Sequence, residues 1–138
     1  MNIIPTVGVL IIQDNRVLLV KHGVGASHLT GVYGLPAGRI NEGESEMQAA
    51  KRELEEETGL IAEALMKLPI TLEPAAIKRK SGETQYFSWA VYLCKKYSGK
   101  IHLGTSETIP EWVDIKNLDQ YQLLPNTKYV IEEGIKYV

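Results

Sequence analysis

This chain of 138 residues has little cysteine, no excess of basic charge and no long apolar run. Its single cysteine, Cys94, excludes an internal disulfide and a cysteine-ligated zinc site, and its apolar neighbours predict a core position. A net charge of -2 provides no basic surface for duplex DNA or RNA, so we expect no polymeric nucleic acid as partner. No stretch reaches the ~18 apolar residues that a membrane helix needs, and residues 1–6 lack a signal-peptide pattern. We therefore expect no membrane association and a cytoplasmic, reducing setting.

Length and composition favour one packed domain. A hydrophobic fraction of 44% is sufficient for a core at this size, and no repeat or low-complexity tract divides the chain. We therefore predict a single domain over residues 1–138. Because a basic footprint is missing, its ligands are expected to be small molecules.

What the chain does contain is an acidic segment, residues 38–60, that starts at a glycine-rich turn. Ser45 followed three residues later by Gln48 is a capping-box pattern, and Gly59 stands where a left-handed C-cap residue belongs. Together these signals predict a helix over residues 46–58.

Three glutamates crowd one face of this predicted helix. Glu53 and Glu57 are four residues apart with Glu56 beside them, and such like-charge pairs cost a few tenths of a kcal/mol each on an isolated helix. A divalent cation such as Mg²⁺ would offset the repulsion, since it prefers carboxylate oxygens and completes its shell with water and substrate phosphate. An acidic run alone is usually a solvated helix face. The spacing of the whole segment favours the metal site instead.

That spacing is a glycine, five residues, a glutamate, seven residues, and then Arg-Glu-Leu-x-Glu-Glu-x-Gly-Leu. It resembles the box of the Nudix hydrolases, the MutT-like pyrophosphohydrolases, and every fixed position of that box is filled. The matching residues are Gly38, Glu44, Arg52, Glu53, Leu54, Glu56, Glu57, Gly59 and Leu60. Tyr33 and Ala37 replace a tryptophan and a second glycine that many relatives carry, but neither change removes a carboxylate.

The resemblance implies an α/β fold, an α/β/α sandwich in which a mixed β-sheet lies between the box helix and a C-terminal helix. It also implies hydrolysis of a phosphoanhydride bond in a nucleoside diphosphate linked to another moiety, with Mg²⁺ or Mn²⁺ as cofactor. A (deoxy)nucleoside triphosphate, cleaved to the monophosphate and pyrophosphate, is the substrate we expect first. ADP-ribose or a nucleotide sugar is the alternative substrate, and a non-catalytic nucleotide-binding module is the alternative from another class.

Within the box, the carboxylates and the resemblance suggest metal and catalytic roles. Glu56 and Glu57 are the first-choice metal ligands, with the Gly38 carbonyl as a neighbour. Glu53 is either a third ligand or the general base, because close carboxylates that share a metal do not separate these roles.

Further residues are expected to orient or supplement this group. Arg52 should hold a carboxylate by a bidentate pair, either Glu44 or Glu53. Relatives often place a glutamate a few residues before a late tryptophan. Glu107 fits that position as an added ligand or base, with Glu111 as the alternative.

Candidate substrate-binding residues lie outside the helix. Lys21 and Arg39 flank the glycine turn and could bind a substrate phosphate. Asn126 precedes a predicted C-terminal amphipathic helix, residues 127–137, where it serves either as a plain N-cap or as a hydrogen-bonding partner for a purine edge.

Extended segments surround the box. Residues 6–13 and 16–21 predict two strands buried on both faces and joined by a turn at Asp14-Asn15. Residues 84–94 form the clearest predicted strand, followed by a polar loop at 95–100 and a short strand at 101–103. Apolar residues on the strand at 84–94, if exposed, would be compatible with a homodimer.

Overall fold

The fold was obtained as a computed structural model, which describes residues 2–138. Its strands are β1 (Ile3–Leu10), β2 (Ile12–Gln13), β3 (Arg16–His22), β4 (Tyr33–Gly34), β5 (Ala37–Arg39), β6 (Leu60–Lys67), β7 (Ala75–Lys78), β8 (Thr84–Gly99) and β9 (Thr108–Asp114). Its helices are α1 (Glu46–Thr58) and α2 (Thr127–Gly134), with 3-10 turns at Ile115–Gln120 and Ile135–Tyr137. No helix in residues 2–138 is long and apolar enough to cross a membrane.

The strands form two sheets. The first has the order β5-β1-β8-β6, with β7 also paired to β8, and the second has the order β2-β3-β4, with β9 paired to β3. The β1–β8 pair is parallel over its whole length, from Ile3 opposite Tyr86 to Leu10 opposite Leu93, whereas the other pairs are antiparallel. The first sheet is therefore mixed, as predicted.

Alternate side chains of the strands enter two different hydrophobic clusters, because successive residues of a strand point to opposite faces. Val9 of β1 lies in a cluster with Leu54 of α1, while the next residue, Leu10, lies in a cluster with Ile131 of α2. The sheets are thus packed between the two helices, and the predicted α/β/α sandwich is confirmed.

Helix α1 begins and ends at the predicted residues. The Ser45 hydroxyl accepts from the Gln48 backbone N–H at 3.1 Å, and the Gln48 side-chain oxygen accepts from the Ser45 N–H at 2.8 Å. Gly59 ends the helix with φ 86°, a conformation that favours glycine, and its N–H donates to the Glu55 carbonyl. These local signals fix where the glutamates of α1 project.

Three strand predictions are wrong in detail. Residues 6–13 are split between β1 and β2, which belong to different sheets. The polar segment at 95–100 is mostly strand, because β8 continues to Gly99, which pairs with Leu60 of β6. Residues 101–103 form no strand. The turn at Asp14-Asn15 is confirmed, with φ 53° and 61° as a type I′ hairpin requires.

The large apolar side chains of β8 between Thr84 and Cys94 are buried or half-buried, so this strand presents no fully exposed apolar surface of the kind that would favour a homodimer. Homodimer formation stays a prediction.

The C-terminal helix is shorter than predicted. Helix α2 ends at Gly134, and Ile135, just beyond it, is 43% exposed. Asn126 stands at the N-cap with φ 70°, but its side chain makes no capping hydrogen bond. The Asn126 Nδ2 instead donates to the Glu73 carbonyl at 3.4 Å, which leaves its amide oxygen available.

Candidate active site

Arg52 forms hydrogen bonds with several groups of the box at once. Its Nε and Nη2 hold the Glu44 carboxylate in a bidentate pair at 2.8 and 2.9 Å, while its Nη1 donates to Glu53 Oε1 at 2.7 Å. Nη2 also donates to the Arg39 carbonyl at 2.9 Å, and the contact with Glu56 is longer, at 3.4 Å. The two expected partners, Glu44 and Glu53, are therefore bound simultaneously. The Arg52 hydrogen bond holds the pKa of Glu44 at about 2.

Glu53 reaches the glycine turn from α1 and is only 9% exposed. Burial raises the pKa of its carboxyl group, although the Arg52 hydrogen bond opposes that shift. A Cβ atom built on Gly38 would lie 2.2 Å from both Cδ and Oε1 of Glu53. Glycine at position 38 is therefore what allows the carboxylate to pack against β5.

Glu57, one helical turn later, faces the same strand. Its Oε1 accepts from the Ala37 backbone N–H at 2.6 Å. Burial and, to a smaller extent, the charges of Glu53, Glu56 and Glu107 raise the pKa of Glu57 to about 8 against the Ala37 hydrogen bond. Glu57 is therefore close enough to the other three carboxylates to be repelled by them.

Within residues 2–138, no three His, Cys, Asp or Glu side chains stand in an arrangement that could hold a metal ion as they are placed. Two of the box glutamates are instead hydrogen-bonded within the protein, Glu53 to Arg52 and Glu57 to the Ala37 N–H. Their chemistry nevertheless fits a hard divalent cation. All donors are oxygen, their charges are unbalanced, and the glycine at position 38 lets the Glu53 carboxylate approach the backbone of β5.

Two backbone contacts set the position of Glu107. Gly23 N–H donates to the Glu107 carbonyl at 2.9 Å, and Gly25 N–H donates to the Ser106 carbonyl at 2.7 Å. A Cβ atom on Gly23 would lie 2.4 Å from the Ser106 carbonyl oxygen, so this approach requires glycine. The Glu107 carboxylate remains exposed, and its charge acts on the pKa of Glu57.

Glu111, the alternative to Glu107, is hydrogen-bonded to Tyr33 and not to a residue of the box. The Tyr33 hydroxyl donates to Glu111 Oε2 at 2.8 Å, and burial together with this bond raises the pKa of Tyr33 to about 12. The structure therefore favours Glu107 as the glutamate that approaches the box.

A cavity of about 120 Å³ opens on the strand side of Gly38. Its walls are formed by Thr6, His22, His28, Leu35, Ala37, Gly38, Arg39, Ile77, Arg79, Phe87, Trp89 and Leu124. A smaller, mainly apolar cavity shares Leu35, Trp89 and Leu124 with it and is also lined by Asn126. Arg39 and Asn126 thus border adjoining cavities, whereas Lys21 lines neither.

Arg79 is not among the functional candidates that the sequence indicates. It lies in the turn between β7 and β8, which contacts the loop at residues 23–31 and lines the cavity. Lys80 stabilises this contact by donating from Nζ to the Gly23 and Val24 carbonyls at 3.2 and 2.9 Å. An Arg-Lys pair in a polar turn gives no sequence signal for such a position.

His22 and His28 form an edge-to-face pair in the same cavity, with ring centroids 4.4 Å apart. Burial, together with neighbouring positive groups such as Arg79, lowers the pKa of each imidazole to about 4. Both rings are therefore neutral at pH 7.

This pair predicts a loss of stability in acid. Between pH 6.5 and about 4 the unfolded chain binds protons that the folded chain does not, so the contribution present above pH 6.5 is lost as the pH falls through this window. The loss is at most about 1.4 kcal/mol per pH unit and per imidazole. Glu57 acts in the opposite sense, because its raised pKa makes stability fall as the pH rises from 4.5 to about 8.

Comparing variants separates the two effects. We expect the free energy of unfolding of His22→Gln/His28→Gln, measured by urea titration from pH 7 to 4, to decline less steeply than that of the wild type. Parallel curves for the two proteins would contradict the assignment of buried neutral imidazoles.

Comparison with known proteins gives a consistent family. The NUDIX domain family matches residues 3–133. The chain is 34% identical over 118 residues to the oxidized purine nucleoside triphosphate hydrolase of Danio rerio, covering 83% of this chain and 69% of that protein. It is 36% identical to Nudix hydrolase 25 of Arabidopsis thaliana, covering 96% and 78%. It is also 29% identical to the ADP-ribose pyrophosphatase of Methanocaldococcus jannaschii, covering 83% and 64%.

A solved structure supports the same fold. The MutT NUDIX hydrolase from Burkholderia pseudomallei superposes with a TM-score of 0.77 at 24% identity, covering 96% of this chain and 98% of that one. Named hydrolases among the relatives, together with a complete box, argue against a non-catalytic binding module. The chain therefore belongs to the NUDIX domain family and is a Nudix hydrolase, a pyrophosphohydrolase of nucleoside diphosphate derivatives.

Proposed function

We propose that this Nudix hydrolase cleaves a (deoxy)nucleoside triphosphate to the monophosphate and pyrophosphate with Mg²⁺, or Mn²⁺, as its cofactor. The observation that carries the proposal is the position of Gly38, which lies against the Glu53 carboxylate and also lines the cavity. A nucleotide in the cavity would place its phosphates beside the carboxylates of α1.

Nudix hydrolases generally use divalent metal ions, and here Glu53, Glu56, Glu57 and the Gly38 carbonyl are the proposed ligands. Such an ion, when bound, neutralises charge on the non-bridging phosphate oxygens and lowers the pKa of water. Arg52 would keep the carboxylates of Glu44 and Glu53 in place through the ion pairs described above.

Two residues could accept the proton of the attacking water. Glu53 lies against the glycine turn, and its buried carboxyl group has a raised pKa, which improves it as a base. Glu107 approaches from the opposite loop and forms no ion pair among residues 2–138. The choice is tested by comparing kcat of Glu53→Gln and Glu107→Gln across pH, because the variant that lacks the base loses the acidic limb of the profile.

The cavities suggest how the nucleoside would be held. Trp89 lines both cavities and has a ring N–H that is unpaired within the described residues, and Asn126 lines the smaller cavity. An indole N–H can donate to an acceptor atom of a base, while an amide can hydrogen-bond a purine edge. Arg39, which lines only the larger of the two cavities, is proposed to bind phosphate.

ADP-ribose is the second candidate substrate. It is favoured by the relative from Methanocaldococcus jannaschii, which is named an ADP-ribose pyrophosphatase, and by the presence of two adjoining cavities that could hold two moieties.

A substrate panel distinguishes these candidates. The wild-type protein is incubated with the deoxynucleoside triphosphates, ADP-ribose and a UDP-sugar, with Mg²⁺ or with EDTA, and the products are separated by chromatography. We expect Mg²⁺-dependent release of pyrophosphate from a triphosphate. A higher kcat/KM for ADP-ribose, with AMP and ribose 5-phosphate as products, would replace the first candidate by the second.

A further inference from the structure

Two guanidinium groups line the cavity without a carboxylate partner. Arg39 comes from β5 and Arg79 from the turn after β7, and both also line the adjoining surface groove. Among residues 2–138, neither forms an ion pair with an Asp or Glu side chain. Burial and the nearby charge of Arg39 lower the pKa of Arg79, against the weaker opposing charge of Glu83. Two like charges held together in this way are stabilised by an anion.

Two contacts position the guanidinium group of Arg79. Its guanidinium carbon lies 5.7 Å from the centroid of the Phe87 ring, and its Nη2 donates to the Ser27 hydroxyl. A guanidinium group has five N–H donors in a planar fork. Most of the Arg79 donors therefore remain available to a ligand, in a geometry suited to the oxygens of a phosphate group.

The aromatic part of the cavity requires different chemistry. Phe87 and Trp89 provide aromatic surface, and two buried ring nitrogens, Trp89 Nε1 and His28 Nδ1, have no hydrogen-bond partner among residues 2–138. Indole nitrogen is only a donor, so it needs an acceptor atom from a ligand. Buried polar groups are normally paired, which makes these two atoms indicators of an occupant.

We propose that Arg79 determines selectivity for phosphorylated over unphosphorylated nucleosides. In this arrangement Arg79 and Arg39 bind the phosphate attached to the nucleoside, and Trp89 Nε1–H donates to an acceptor atom on the base. The proposal rests on the proposed function, because it assumes that the cavity at Gly38 holds the nucleotide. It adds a residue outside the Nudix box and assigns it to one group of the substrate.

Trp89 provides a direct measurement of binding. The chain has two tryptophans, and Trp112 lies in a separate surface pocket with Gln13 and Tyr97. In a Trp112→Phe background, Trp89 fluorescence is followed while deoxyguanosine, its 5′-monophosphate and its 5′-triphosphate are added in EDTA, with the adenine series in parallel. No turnover is required, so binding is observed separately from catalysis.

In this assay Arg79→Met is expected to weaken binding of the monophosphate and triphosphate by roughly 10-fold to 100-fold, the usual effect of losing hydrogen bonds to a charged group. Nucleoside binding should not change. Lys78→Met is the matched control, because it removes the same charge from the adjacent residue, which is exposed and lines neither cavity. Its affinities should equal those of the parent.

The conservative variant Arg79→Lys keeps the charge but loses the planar fork, and it should weaken phosphate binding less than Arg79→Met does. It also carries the test if Arg79→Met proves unstable in thermal unfolding. Equal weakening of nucleoside and nucleotides would mean a merely structural role and would overturn the proposal.

The same measurements distinguish failure of the Arg79 inference from failure of the proposed function. If nucleotides are hydrolysed but do not change Trp89 fluorescence, the cavity is not the nucleotide site and only the Arg79 inference fails. If nucleotides bind with the expected dependence on Arg79 but none is hydrolysed with Mg²⁺, the inference stands and the proposed reaction fails.

Discussion

Glu57→Gln is expected to lower metal-dependent kcat by about 10³-fold or more while leaving the fold intact, since a lost charge-stabilising ligand costs several kcal/mol in the transition state. Glutamine has nearly the same shape and retains an oxygen that can accept from the Ala37 N–H, which now bonds to Glu57 Oε1 at 2.6 Å. Only the negative charge is removed. The variant therefore separates a metal ligand from a structural hydrogen-bond acceptor.

Stability should change in the opposite direction to activity. Because burial raises the pKa of Glu57 to about 8, ionising this group in the folded protein is unfavourable, and its stabilising contribution decreases from pH 4.5 upward. Glutamine carries no such cost. At pH 8 in EDTA, Glu57→Gln is expected to unfold at a temperature equal to or above that of the wild type.

The matched control is Glu55→Gln, on the same helix but exposed to solvent. Its steady-state kcat with Mg²⁺ should stay within about twofold of the wild type, as for an ordinary surface substitution. If Glu57→Gln retained near-normal turnover, or if both variants lost it equally, the assignment of Glu57 to the metal site would be wrong.

Features specified by neighbouring residues can be predicted from the sequence. Helix α1 has its capping box at Ser45 and its glycine at position 59, and both signals lie within one turn of the helix ends. The strand at 84–94 is predictable but its extension to Gly99 is not, since that depends on pairing with Leu60, far away in sequence. The split between β1 and β2 likewise follows from the assembly of two sheets.

The same division applies to the candidate site. The box places Glu53, Glu56 and Glu57 on one helix, so their proximity follows from helical periodicity. The choice between Glu107 and Glu111 cannot be made from sequence, because it depends on the distant Tyr33 hydroxyl. Arg79 is not predictable for a similar reason, since only the packing of the β7–β8 turn brings it to the cavity.

Gly38→Ala is the second substitution for which we expect a large loss of activity. The added Cβ would lie 2.2 Å from the Glu53 carboxyl carbon, whereas the backbone of Gly38 is not in the left-handed region and accepts alanine. The Glu53 carboxylate must therefore move, and its 2.7 Å ion pair with Arg52 must lengthen or break. Because misplacing a catalytic group by about 1 Å can cost 10²-fold, kcat should fall by about that factor.

Gly43→Ala is the matched control for this effect. Gly43 has φ 79°, and a Cβ added there would meet no atom within 4 Å, so alanine strains the backbone without touching the site. It should lower stability by roughly 1 kcal/mol and leave kcat unchanged. If Gly38→Ala behaved in the same way, contact with Glu53 would not explain the glycine.

A double variant tests whether the contact itself carries the effect. Aspartate at position 53 draws the carboxylate back by one methylene, so Gly38→Ala should harm kcat less in a Glu53→Asp background than in the wild type. Residues in direct contact give such non-additive effects, whereas independent sites give additive ones. Additive losses in kcat would show that Gly38 and Glu53 act separately, and the glycine would then have to serve the site through its backbone carbonyl rather than through the space it leaves.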